Sequence, residues 1–219
     1  EQLLAAGYAV VRFDHRGHGR SMGKAVWYDN RQQIVADTDL FVEEARAHFP
    51  DLPLFMIGHS MGGFGAASYA TTYPGKLSGY VLSGAWTRDH AGLAAGVVEQ
   101  GLDPQTYLPN ELGDGVCSDP AVGEAYLADP FVVKEFSVAL LRAVHDGHVW
   151  LREHAADFSD PVLLLHGGDD GLVSPQDSID MYEEVSATDK SLRIYAGLYH
   201  EIFNEFKRDR VIRDAIEWV

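Results

Sequence analysis

In Leu54-Phe55-Met56-Ile57-Gly58-His59-Ser60-Met61-Gly62-Gly63 an apolar run of strand length ends on Gly-x-Ser-x-Gly and passes at once into the small residues Gly65, Ala66 and Ala67. A strand that turns directly into a helix on this pattern is a nucleophile elbow. Its logic is steric: the serine is held on a tight, strained turn, and the glycines at 58 and 62 let helix and strand approach without side-chain collision. A glycine turn without chemistry is the alternative, and the strand-turn-helix setting argues against it. Ser60 is therefore the candidate nucleophile.

Similar short apolar runs follow at Gly79–Ser83, Val162–Leu165 and Leu192–Tyr195, each with the β-branched or aromatic content and flanking Gly or Pro of a buried strand. Ahead of the elbow run Ile34, Thr38, Phe41, Val42, Ala45 and Phe49, and after the last run Val211, Ile212, Ala215 and Trp218, recur at helical spacing. Strand-helix alternation predicts an α/β fold with a mostly parallel sheet and helices on both faces.

Ahead of the elbow, Glu1 to Ala6 reads as the last turn of a helix, Gly7 as its left-handed cap and Tyr8–Phe13 as a buried strand. A helix that opens on its final turn leads to the expectation that N-terminal strands of the fold lie upstream of this sequence. The interval 87–157 breaks the rhythm. No strand is expected there, Asp-Pro steps recur at 103, 119 and 129, and Leu93, Val97, Leu102, Leu108, Phe131, Phe136, Leu140, Leu141 and Trp150 carry more apolar surface than a loop can hide. It reads as a helical cap, or lid, inserted into a core formed by 1–86 and 158–219, with some of its apolar surface facing a pocket.

A serine hydroxyl needs a base, and the base needs a carboxylate to orient it. The loop after the last strand offers His200. The loop after the preceding strand, His166-Gly167-Gly168-Asp169-Asp170, offers two acids, and spacing leaves both open. The one not used is expected to cap the turn or the next helix. The chain order Ser, Asp, His is that of an elbow-bearing hydrolase.

Four stretches then carry a resemblance: Gly7 to Ser21 with its Asp14-His15-Arg16-Gly17 centre, the Gly58–Gly63 elbow, Pro161 to Pro175, and Tyr199 to Glu205. Together, and in this order, they resemble the monoacylglycerol lipase and lysophospholipase group of serine α/β hydrolases over nearly the whole chain, least in the cap. The resemblance implies an α/β-hydrolase fold and a triad of Ser60, Asp170 and His200. It also implies an oxyanion hole made by the Met61 N–H and a second N–H from a His-Gly loop. No such loop precedes Gly7 in this sequence. The substrate it implies is a single-chain lipid ester, met in passing at a membrane surface. Candidate pocket residues are His59, Leu140, Tyr199 and Trp86, the last at a strand end where the cap begins.

Composition excludes several other classes. The 219 residues carry 17 Lys and Arg against 33 Asp and Glu, a formal charge of −16, and no stretch gathers a basic patch for phosphates, so nucleic acid is not an expected partner. The single cysteine, Cys117, excludes an internal disulfide framework. His15 and His18 beside Asp14 lack further ligands and read as a structural loop rather than a metal site, and His145-Asp146-Gly147-His148 reads as a polar turn. Neither a phosphate loop nor a dinucleotide fingerprint is present, so no cofactor is expected. No apolar run approaches the roughly 20 residues of a membrane span, no leader segment is recognisable, and a cytoplasmic location is expected. Two other readings stand beside lipid-ester hydrolysis: a hydrolase of small esters, amides, thioesters or C–C bonds, and a non-catalytic protein that sequesters apolar ligands.

Overall fold

Gly79–Ser83 and Val162–Gly167 are buried at every position, which is why both read as unbroken apolar runs rather than alternating ones. The computed structural model, which describes residues 1–111 and 116–219, places them at the centre of a four-stranded parallel sheet. In chain order the elements are α1 (Gln2–Ala5), α2 (Arg31–His48), β1 (Phe55–His59), α3 (Met61–Thr72), β2 (Gly79–Ser83), α4 (Ala95–Val98) and β3 (Tyr107–Pro109). There follow α5 (Pro120–Ala128), β4 (Glu135–Ser137), α6 (Val138–His154), β5 (Val162–Gly167), α7 (Pro175–Glu184), β6 (Lys190–Tyr195) and α8 (Arg208–Trp218).

The main sheet runs β1-β2-β5-β6, with Ile57 opposite Val81 and Leu82 opposite Leu164, itself opposite Leu192. Successive side chains on a strand point to opposite faces, and here alternate residues enter two separate cores. Tyr80, Leu82, Val162 and Leu164 pack with Ile34, Phe64 and Met181 of α2, α3 and α7. Val81, Leu163 and Leu165 pack with Ile202 and with Val211 and Ala215 of α8. Helix starts follow local chemistry. Asn30 accepts from the Gln33 amide, Ser137 from Leu140 and Ser174 from Gln176, with Pro175 in the first turn of α7.

The structure corrects three expectations. Tyr8–Phe13 is not a buried strand: among the described residues it has no sheet partner, and Val10 and Val11 are 40% and 47% exposed. An apolar run becomes a strand only where a neighbour's amides and carbonyls meet its own, and among the described residues β1 pairs with β2 alone. Second, the interval 87–157 does contain strands, since β3 and β4 pair antiparallel with Leu108 opposite Phe136. Three-residue strands are too short to show an alternation. Third, His145–His148 is no turn but the middle of α6. Gly147 lets α6 close on α3, because a Cβ there would lie 2.3 Å from Phe64, and Trp150 packs under the Arg31 guanidinium at 3.5 Å. Among the described residues no helix is long and apolar enough to cross a membrane, and no cluster could hold a metal ion.

Candidate active site

Ser60, Asp170 and His200 follow β1, β5 and β6, so all three are delivered to the carboxyl ends of parallel strands. Ser60 sits at φ 55°, ψ −121°, a region a side-chain-bearing residue visits at a cost of about 1–3 kcal/mol. Its backbone is held from three sides: its N–H donates to Ser83 O, and its carbonyl accepts from the amides of Trp86 and Phe64. Met61 opens α3, so its amide belongs to the first helical turn, whose N–H groups have no acceptor within the helix. The steric reasoning about glycine applies to Gly58, where a Cβ would lie 2.4 Å from Gly62 O. It does not apply to Gly62, where a Cβ would meet nothing within 4 Å. The close contact falls instead on Gly63, where a Cβ would lie 2.5 Å from that of Ala85.

His200 is buried, and its Nδ1–H donates to Asp170 Oδ2 at 2.7 Å. That bond leaves Nε2 as the unprotonated nitrogen of the neutral ring. The ring lies 4.6 Å from that of His59 and against the backbone of Gly84. No hydrogen bond joins the Ser60 hydroxyl to His200 among the described residues; such contacts commonly tighten only in the Michaelis complex. Geometry separates the two acids that spacing could not. Asp170 is fully buried at its side chain and reaches His200. Asp169 is exposed, its amide donating to Leu198 O. The expected division of labour fails, because the turn is capped by Asp170 itself, through Oδ1 to the amides of Leu172 and Val173, while Ser174 caps the next helix. Burial alone would raise the Asp170 carboxyl. Hydrogen bonds from His166 and His200 outweigh it and hold the group well below the usual carboxylate range.

The remaining candidates divide. His59 flanks His200, bonds Ser83 Oγ at 3.1 Å and leaves Nε2 buried without a hydrogen-bond partner, 3.8 Å from a Glu201 oxygen. Tyr199 is half-buried, its amide tied to Glu205. Trp86 is almost buried, bonded to Asp89 and packed on the ring of His148. Leu140, expected on an inner cap surface, lies instead in the main core at 2% exposure, because α6 docks on α2 and α3. A cleft of about 600 Å³ runs between the 13–29 loop and α2, lined by Phe13, Arg16, Trp27, Asp37 and Phe41, and none of Ser60, Asp170 or His200 lines it.

Two polar residues were missed. His166 donates toward Asp170 from the strand below, and its signal was a lone polar side chain ending the run Val162–Leu165. Glu205, only 1% exposed, accepts from the amides of Ser118 and Tyr199, and so fastens the 116–118 segment to the His200 loop. A buried acid two residues from Phe203 gives no periodic signal.

In three histidines, His148 in the core and His15 and His59 half-buried, the surroundings disfavour the charged ring. Burial is the main cause in His15, His59 and His148, with His18 adding to it in the first and His200 in the second, and each is pushed down to about 4. Below the ordinary value near 6.5 the unfolded chain takes up protons that the folded chain refuses. Stability is therefore full above about pH 6.5 and falls as the pH drops toward 4, by about 1.4 kcal/mol per pH unit for each histidine that stays neutral. Urea unfolding at pH 7, 6 and 5 should show a steadily falling midpoint. A flat midpoint across that window would show that these rings are protonated in the folded chain.

A parallel sheet covered on both faces, with a strained serine after β1, an acid after β5 and a histidine after β6, defines an α/β hydrolase. The profile of the serine aminopeptidase S33 family of hydrolases matches residues 1–207. A monoacylglycerol lipase of Mycolicibacterium smegmatis is 36% identical over 225 residues, spanning 100% of this chain and 80% of its own. The crystal structure of Paleococcus ferrophilus monoacylglycerol lipase superposes with a TM-score of 0.86 at 30% identity, over 99% of this chain and 85% of that one. A soluble variant of monoglyceride lipase from Saccharomyces cerevisiae, in complex with a substrate analog, gives 0.82 at 26% identity, over 94% and 75%. The chain belongs to the S33 family, in its monoacylglycerol lipase group.

Proposed function

We propose that this chain hydrolyses carboxylic esters of single-chain lipids, of the monoacylglycerol or lysophospholipid type, through an acyl-enzyme on Ser60. The observation that carries the reading is the Asp170–His200 hydrogen bond, at the same end of the parallel sheet as the strained Ser60. The relatives' names supply the lipid class. His200 Nε2 takes the Ser60 proton as Oγ attacks the ester carbonyl carbon. The charge that develops on the carbonyl oxygen is met by the Met61 N–H, at the positive end of α3. Collapse of the tetrahedral intermediate breaks the C–O bond to the alcohol, which leaves with the proton from His200. Water then attacks the acyl-enzyme by the same steps in reverse, releasing the fatty acid and restoring Ser60.

The interval 87–157 serves in this proposal as the lid over a dry acyl channel, and it presents Leu127 and Phe131 to solvent at 64% and 51% exposure. A lid that meets lipid uses such side chains on long substrates and not on acetyl esters. Serine at both positions is expected to raise KM for long-chain monoacylglycerols about tenfold, equivalent to about 1.4 kcal/mol, and to leave KM for acetyl esters nearly unchanged. Steady-state kinetics over an acyl-chain series tests the function and the lid together. Wild-type kcat/KM that is flat with chain length would favour a small-ester hydrolase, and equal effects of the substitutions on both substrates would reduce the interval to structural support.

A further inference from the structure

Beside the three residues of the site stands one more buried titratable side chain, used by none of the steps above. His166, near the end of β5, is fully buried. Its Nε2 lies 3.0 Å from Val173 O and 3.1 Å from Asp170 Oδ2, and its Nδ1 2.7 Å from Ser178 Oγ. A carbonyl can only accept, so Nε2 carries the proton and shares it between the Val173 carbonyl and the Asp170 carboxylate, while Ser178 donates to Nδ1 of the neutral ring. Asp170 thus accepts from four N–H groups. Leu172 and Val173 hold Oδ1, and His166 and His200 meet on the same Oδ2. A polar ring at the centre of an apolar sheet costs stability unless its hydrogen bonds are used. Every nitrogen of this one is used, and one bond ends on the acid that orients the base.

We propose that His166 is a positioning residue for the triad: its Nε2–H fixes the carboxylate rotamer that presents Oδ2 to His200, and withdraws part of the charge on that oxygen. The proposal rests on the assignment of Ser60, Asp170 and His200 made above. The groups facing His200 are Asp170 from the β5 loop and His59 from the elbow, the latter 3.8 Å from a Glu201 oxygen, and His166 acts on the first of these. With its donor removed, Oδ2 keeps more negative charge for His200, and the imidazolium form is stabilised. The acidic limb of kcat/KM then moves to higher pH. The carboxylate also loses one of its four anchors, so a smaller share of molecules holds His200 in register and kcat falls with KM unchanged.

Two substitutions separate positioning from packing. His166→Leu fills the site without a donor. His166→Gln carries an amide N–H that reaches the position of Nε2. A fluorophosphonate titration of Ser60 in wild type comes first, since failure to label there sinks the triad assignment and not the role of His166. Expected for His166→Leu, at equal folded fraction, are a kcat about tenfold lower and an acidic limb about half a pH unit higher. His166→Gln should recover most of both. An unmoved limb with wild-type kcat in His166→Leu overturns the proposal, as does a His166→Gln that loses as much kcat as His166→Leu. Should His166→Leu fail to fold, Ser178→Ala takes its place, because losing the hydroxyl on Nδ1 frees the ring to turn. A smaller shift of the limb in the same direction supports the proposal, and an unmoved limb overturns it.

Discussion

Replacing Ser60 with alanine is expected to abolish both labelling by a fluorophosphonate and ester hydrolysis, with kcat lower by about 10⁶. The size follows from what the side chain does. Without Oγ there is no acyl-enzyme, and His200 has no proton to take; what remains is substrate binding and one oriented amide. Among the described residues Ser60 alone of the serines combines a strained backbone with a place at the end of a strand of the same sheet whose ends carry the hydrogen-bonded His200 and Asp170. Mass spectrometry of the labelled chain should find the adduct on Ser60 alone. Labelling that survives on another serine would move the nucleophile. The same position allows a control on stability. Alanine at φ 55° keeps the backbone strain and glycine relieves it, so Ser60→Gly should unfold at a higher temperature than Ser60→Ala, by a difference worth about 1 kcal/mol or more. A protein in which the two melt alike would have an unstrained elbow.

How much of this was legible in the sequence depended on whether a residue's partner was local. The strands at Gly79–Ser83 and Val162–Gly167 showed themselves because burial on both faces leaves only apolar side chains, and helix α2 showed itself through one long stripe. Tyr8–Phe13 has a similar apolar run, yet Ala9 to Arg12 are exposed, because a strand needs a partner beside it and composition records only the face. The error at His145–His148 has the same root. His148 accommodates itself in the core by donating to Trp86 O and packing on Phe64, neither of which is within sixty residues of it.

In the site, the elbow was readable because its five residues act on one another, although Gly63 rather than Gly62 takes the close contact. The choice between Asp169 and Asp170 was not readable from spacing. Adjacent residues in a turn point to different sides, and the direction is set by β5 and by the amides of Leu172 and Val173, which lie after both acids. His166 and Glu205 were passed over because each acts through a group that is itself invisible in sequence: a shared carboxylate oxygen in one case, two loop amides in the other.

The acid is therefore where geometry adds most, and where the second large effect is expected. Asp170→Asn should lower kcat by about 10⁴ with little change in KM. An asparagine can keep the position, but its amide nitrogen cannot accept from His200, and an amide turned to present its oxygen no longer carries the charge that stabilises the imidazolium. His200 is then free to hold its proton on the nitrogen that should receive one from Ser60. Asp169→Asn, at an exposed side chain whose amide alone is engaged, should leave kcat within about twofold. Both variants must be compared at equal folded fraction, because Oδ1 of Asp170 also holds the turn before α7 and part of any loss in the first variant is loss of folded protein. Circular dichroism and active-site titration supply that correction. If, after it, Asp169→Asn is the slower enzyme, His200 takes its orientation from the exposed acid, and the 2.7 Å bond to Asp170 is a feature of the fold rather than of the chemistry.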